Sequence, residues 1–202
     1  MTNALLLRRR GMMMAQQGGL PYDSKISYLE SSTNCCIDLG FVPDDHTGIY
    51  VECTRTDSTD HYILGQRNDS DNTRYGIGKT SNAYCGWGAY VSGYSFSSGH
   101  LSLNWLRDHR FYVNSSHKTL TNPMPFSLVY NLVVFCFNNQ GNLQTADAGI
   151  RISRFRVSRD SDVVMDLIPV RVGAIGYLYD EIGGQLYGNT MTGSFILGPD
   201  IP

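Results

Sequence analysis

The chain has 202 residues, enough for one domain with a buried core and an appended arm. Charged residues make up 17% and the formal net charge is -2, which gives the body no electrostatic basis for binding nucleic acid. No run approaches the ~18 apolar residues that a membrane-spanning helix needs, so no membrane partner is expected.

Glycine (21) and tyrosine (13) are frequent, which suits many short strands joined by tight turns, an all-β architecture. Cys35, Cys36, Cys53, Cys85 and Cys136 make an odd count without a C-x-x-C or a Cys/His cluster, so neither zinc nor another cofactor is expected. They read as small buried hydrophobes in a reducing compartment, with a disulfide as the less favoured alternative.

Residues 1–22 stand apart as an N-terminal arm, and residues 23–202 form the expected domain. The arm has Leu5, Leu6 and Leu7, then Arg8, Arg9 and Arg10, then Met12, Met13 and Met14, with no acid. Its leucines precede its arginines and no apolar core follows, unlike a secretory signal. At 100° per residue the apolar and basic positions overlap all round, so no amphipathic face forms. A plain tail is one reading. Six bulky apolar side chains favour another, a segment that orders against a neighbouring subunit.

The runs 25–29 and 36–39 are expected strands around a polar turn. In 48–56, Ile49, Val51 and Cys53 alternate with Tyr50, Glu52 and Thr54, the pattern of a half-buried strand. The runs 61–65 and 74–78 are strands around a polar loop. Residues 80–99 are too rich in Gly, Ser and Tyr to bound. The runs 101–105 and 110–113 bracket a hairpin tip at 107–109, and Pro123 and Pro125 break the chain. Leu128–Phe137 reads as one strand buried on both faces, and 138–141 as a turn. In 150–157 the apolar positions change parity, which a bulge near Ser153 explains. The closing segment predicts strands at 163–168, 176–180, 185–189 and 194–197, the middle two forming a hairpin around Glu181-Ile-Gly-Gly184. Short strands at intervals of roughly 8–12 residues argue for a β-sandwich.

Two parts of the chain carry a resemblance. Tyr28-Leu-Glu-Ser-Ser32, Ile37-Asp-Leu-Gly40 and Pro43 form an opening motif, with Cys36 where an aromatic is common. Asp166-Leu-Ile-Pro-Val-Arg171, Gly176-Tyr-Leu-Tyr-Asp180, Gln185-Leu-Tyr-Gly-Asn189 and Thr192-Gly-Ser-Phe-Ile-Leu-Gly-Pro-Asp200 form a closing one. Together they resemble the concanavalin A-like (LamG-type) jelly-roll domain found in structural proteins of phages and prophages of gut Bacteroidetes. The resemblance implies a jelly-roll β-sandwich with an extended arm. It also implies a virion location after synthesis in the host bacterial cytoplasm, other virion proteins as partners, and a homo-oligomer, a trimer in a fibre-like element.

That fold also hosts glycoside hydrolases, which need paired carboxylates. The three glutamates, Glu30, Glu52 and Glu181, begin no Glu-x-Asp-x-x-Glu pattern. Asp44/Asp45 and Asp57/Asp60 fall in loops, where aspartate serves turns. The histidines His46, His61, His100, His109 and His117 lack a nucleophile context and read as solvated side chains. Asn68–Asn72 has oxygens for calcium but lacks the EF-hand glycine and distal glutamate. Gly76 and Gly78 lie within a strand, so they are no phosphate loop. Catalysis is therefore not expected. Tyr84, Trp87, Tyr90 and Tyr94, among glycines and serines, are the candidate contacts for a cell-surface glycan, though subunit contacts favour the same residue types. The expected function is a non-enzymatic head-fibre or capsid-decoration protein. The alternative is a tail-associated adhesin or a lectin-like carbohydrate-binding module.

Overall fold

The computed structural model describes residues 19–56, 61–68, 73–79, 83–94, 99–106, 110–119, 125–145 and 149–202. All its regular elements are strands. The first part of the chain gives β1 (Ser24–Ile26), β2 (Leu29–Glu30), β3 (Ile37–Asp38), β4 (Thr47–Arg55), β5 (His61–Arg67), β6 (Arg74–Lys79), β7 (Ala83–Trp87) and β8 (Ala89–Tyr94). The middle gives β9 (Gly99–Leu106), β10 (Arg110–Val113), β11 (Ser116–Thr119), β12 (Val133–Val134), β13 (Cys136–Asn139) and β14 (Asn142–Thr145). The last part gives β15 (Ile150–Arg159), β16 (Asp162–Val172), β17 (Ile175–Asp180), β18 (Leu186–Tyr187), β19 (Ile196–Leu197) and β20 (Asp200–Ile201).

These strands form two sheets in a sandwich-like arrangement. The larger runs β11-β10-β9-β4-β15-β16-β1-β20, with β17, β18, β2 and β19 branching from it. The smaller runs β14-β13-β5-β6-β7-β8, with β12 and β3 attached. Their inner faces share one core. Ile49, Val51, Phe155, Val157 and Leu167 come from the larger sheet, and Leu64, Tyr75, Ile77 and Val134 from the smaller. Phe155 is fully buried, worth about 2–3 kcal/mol in area removed from water. Tyr75 crosses between the sheets, its hydroxyl donating to the Thr47 carbonyl at 3.1 Å. Burial pushes its phenol pKa well above the ordinary value, so it remains a neutral donor.

Most expected elements are found. In β4 the side chains of Ile49, Val51 and Cys53 are buried while Tyr50, Glu52 and Thr54 are half-exposed. The β15–β4 register slips between Ile152 and Arg154, leaving Ser153 as the extra residue of a bulge. β9 pairs antiparallel with β10 from Leu106↔Arg110 onward, and β17 pairs with β18 around the 181–184 loop. The turn after β13 has positive φ at both Gln140 (57°) and Gly141 (85°), the left-handed pair that a tight two-residue hairpin requires.

Three expectations need correction. Leu128–Phe137 is not one strand. Phe135 has φ of 65° and donates its N–H to the Ile63 carbonyl, which kinks the chain between β12 and β13. As a result β12 runs antiparallel to β5 and β13 parallel to it. The run 25–29 also divides, because β1 pairs with β16 and β20 while β2 pairs with β15 and β19. The step is held by Ser27 donating to the Pro199 carbonyl and Gly198 to the Tyr28 carbonyl. Finally, Cys36 and Cys136 form a disulfide across a sequence separation of 100, with Cα atoms 5.3 Å apart. Sequence separation hid this pair. Both cysteines are buried beside Val133 and Met191, whereas Cys35 and Cys53 are free and buried. Burial pushes the Cys53 thiol up to about 12, so it stays protonated.

Candidate functional site

The half-exposed positions of β4 lie on the outer face of the larger sheet, where strand register aligns them with polar residues of other strands. One row reads His117↔Tyr112↔Asn104↔Tyr50↔Arg156↔Asp166 across β11, β10, β9, β4, β15 and β16. The adjoining row reads Ser102↔Glu52↔Arg154. The Ser153 bulge makes this possible. After one extra residue, Arg154 and Arg156 share the outer face while Phe155 and Val157 remain in the core.

Side chains in these rows pair in alternating sign. Arg154 holds Asp166 through two hydrogen bonds, Nε to Oδ1 at 2.9 Å and Nη2 to Oδ2 at 2.7 Å. Arg156 adds Nε to Oδ2 at 3.1 Å. Arg154 Nη2 also lies 3.6 Å from Glu181, whose other oxygen accepts from Lys25 Nζ at 3.0 Å. Tyr50 donates its hydroxyl to Glu52, and the Arg156 guanidinium lies 5.6 Å from the centre of the Tyr50 ring. The rings of Tyr112 and His117 are 5.3 Å apart.

The titration of these groups follows from that geometry. Burial works against the Asp166 charge, but the bonds and charges of Arg154 and then Arg156 outweigh it and hold the carboxyl below the ordinary carboxylate value. Its hydrogen bond to Asp166 raises Arg154 in turn. Lys25 is raised chiefly by its bond to Glu181. Burial, then the bond to Glu52, raises Tyr50 and keeps its phenol protonated.

A general acid needs a carboxyl whose proton is retained near neutrality. Asp166 is shifted the opposite way. What the face offers is fixed, paired charge, planar guanidinium groups and phenol rings. Among the described residues no group of three or more His, Cys, Asp or Glu is placed to hold a metal ion.

The expected site residues are distributed otherwise. Leu5, Leu6, Leu7, Arg8, Arg9, Arg10, Met12, Met13 and Met14 lie outside the described residues. Tyr84 and Trp87 belong to β7 and Tyr90 and Tyr94 to β8, in the smaller sheet. Tyr84 stands opposite Ser92, Tyr90 opposite Gly86, Trp87 opposite Ala89 and Tyr94 opposite Ala83. Asp44 serves its turn as expected, its Oδ1 accepting from the His46 N–H and the Thr47 hydroxyl, each at 3.0 Å. His46 is paired rather than simply solvated, its Nδ1 2.9 Å from Asp160. His61, His100 and His117 lie on β5, β9 and β11, the first within an expected strand, and His109 lies outside the described residues. Sequence reading missed the outer-face rows because their members come from strands far apart in the chain. The one available signal was the Tyr50/Glu52 parity of β4 together with the Arg154/Arg156 pair after the parity change.

The opening and closing motifs meet elsewhere. Asn189 Oδ1 accepts from the Cys36 N–H at 2.8 Å, and Thr190 donates its hydroxyl to the Cys36 carbonyl at 3.0 Å. Gly193 donates its N–H to the Asn34 carbonyl at 2.8 Å, and Ser32 its hydroxyl to the Ser194 carbonyl at 2.6 Å. β2 then pairs with β19. Comparison with protein-family models, with curated proteins and with solved structures gave no match.

Proposed function

We propose that the chain is a non-enzymatic structural component of a phage virion, a head-fibre or capsid-decoration protein. In this reading the two sheets form a concanavalin A-like jelly roll, and residues 1–22 are the arm that anchors it to neighbouring virion proteins. The observation that carries the reading is the clasp between residues 32–36 and 189–194. Three of the residues the clasp uses belong to the resembling motifs: Asn189, which accepts from the Cys36 N–H, Ser32, which bonds across to Ser194, and Gly193 at the closest approach. Charge pairing on the outer face favours a structural or binding surface over proton-transfer chemistry, because Asp166 is held ionised by two arginines.

The test compares the full-length protein with a chain starting at Leu20. Light scattering reports assembly, and co-sedimentation with particles lacking this protein reports docking. Assembly or docking by the full-length chain alone supports the arm as anchor. Identical soluble monomers that both fail to dock sink the reading.

A second reading, an adhesin or lectin-like module, is favoured by the Tyr50–Arg156–Asp166 row on the outer face. Saturable binding on a glycan array, lost in Tyr50→Ala or in Trp87→Ala, would support it.

A further inference from the structure

The β16–β17 hairpin presents an apolar outer face that is only partly covered. Positions 168, 170 and 172 of β16 share a face with 175, 177 and 179 of β17, since Ile168 stands opposite Tyr179, Val170 opposite Tyr177 and Val172 opposite Ile175. At its inner end this face is closed: Val170 is fully buried and Ile168 nearly so. At its tip it is open, with Ile175 60% and Val172 36% exposed.

The segment just before β1 begins the cover. The ring of Tyr22 packs edge-on against Tyr179, with centroids 5.0 Å apart. Asp23 donates its N–H to the Arg171 carbonyl, and its carboxylate accepts the Gly173 N–H at the hairpin tip at 2.6 Å. Two residues before Tyr22, Leu20 is 59% exposed. The chain therefore enters the fold across this face and leaves the tip uncovered, with more apolar sequence upstream.

We propose that the outer face of the β16–β17 hairpin is the docking surface for this chain's own residues Leu5–Met14. The proposal rests on reading residues 1–22 as an ordering arm, and it names the surface that holds the arm in the free protein, before a neighbouring virion protein takes it. Three observations favour this occupant. The contact of Tyr22 with Tyr179 is already part of the same interface, so the arm would extend it. From Met14 to Leu20 an extended chain spans about 20 Å. That exceeds the ~13 Å from position 175 to position 179 along a strand, so the arm can reach the whole tip. Methionine and leucine side chains suit a surface of valine, isoleucine and tyrosine edges, and the methionines can adapt to an irregular one. The short Gly18-Gly19 link gives the arm a high effective concentration at its own hairpin. Every copy carries the same surface, so exchange of arms between copies would convert the contact into an assembly joint.

Methionine oxidation reads this directly, since a covered thioether reacts with dilute peroxide more slowly than a solvated one. The rates at Met12, Met13 and Met14 would be measured by peptide mass spectrometry in the full-length protein and in a synthetic peptide of residues 1–18. We expect about tenfold slower oxidation in the protein, the protection of a locally closed segment. Ile175→Asp should return the three methionines to the peptide rate while leaving the melting temperature near that of the parent, because the side chain is 60% exposed. If Ile175→Asp proves unstable, Val172→Asp serves instead. Peptide-like rates in the parent protein overturn the proposal, as does protection that survives both substitutions. Protection that grows with protein concentration places the arm on a neighbouring copy and overturns own-chain docking. Docking of the full-length chain to particles without methionine protection would leave the virion reading standing and remove this one.

Discussion

Gly193 lies where two segments of the clasp touch backbone to backbone. A Cβ built there would meet the Thr33 carbonyl oxygen at 2.2 Å and the Asn34 carbonyl oxygen at 2.6 Å. Neither oxygen belongs to a side chain that can swing away. Gly193→Ala should therefore destabilise the fold by about 2 kcal/mol or more, in the range of overpacked sites. A urea titration with unchanged slope would check it, and a loss under about 0.5 kcal/mol would refute the clasp geometry. Asp166 makes a pH-dependent prediction. Its folded pKa lies below the ordinary carboxylate value of 3.8, so its ion pairs contribute fully at neutral pH. That contribution is lost as pH falls through the depressed folded value. The stability gap between the parent and Asp166→Asn should be constant from pH 7 to about 5 and narrow below about 4. A gap that widens on acidification would contradict the pairing with Arg154 and Arg156.

Among the elements, the disulfide between Cys36 and Cys136 joins the segment before β3 to the start of β13. It closes a loop of about 100 residues, for which chain entropy gives stabilisation of about 4–5 kcal/mol, just above the usual range. Cys36→Ala with Cys136→Ala should lower unfolding stability by that amount, and an unchanged urea midpoint would mean that the bond contributes nothing. What the sequence allowed one to read divides along the same line. β4, β5, β6, β9, β10 and the β17–β18 hairpin were legible because local alternation and turn residues define them. The parity change around Ser153 was legible as well, since a bulge leaves its mark in a single strand. The kink at Phe135 was not: an apolar run of uniform character carries no sign that one residue takes a positive φ. The disulfide and the outer-face rows were not legible either, because Cys36 and Cys136, or Tyr50 and Arg156, become neighbours only through strand order.

Taken as a whole, the molecule is closed by its last residues. Among the described residues β20 pairs with β1 alone, and Asp200 holds Arg171 through two hydrogen bonds of 2.7 Å. A chain ending at Gly198 would lose both and expose the edge of β1. Such an edge invites pairing with another chain. Light scattering of the shortened protein should show concentration-dependent association beyond that of the parent, and an assembly state identical to the parent's would show that β20 guards nothing. The pairing of β1 with β16 and β20 also orders events during synthesis. Ser24 leaves the ribosome about 150 residues before Arg171, its partner, which at about 5–20 residues per second is a delay of roughly 7–30 s. Through that interval Ile26, Leu29 and the adjacent thiols of Cys35 and Cys36 have none of their partners from the closing segment. The opening segment thus waits with an unpaired edge until Arg171 has emerged, and the native disulfide can form only once Cys136 has followed Cys36 out of the ribosome.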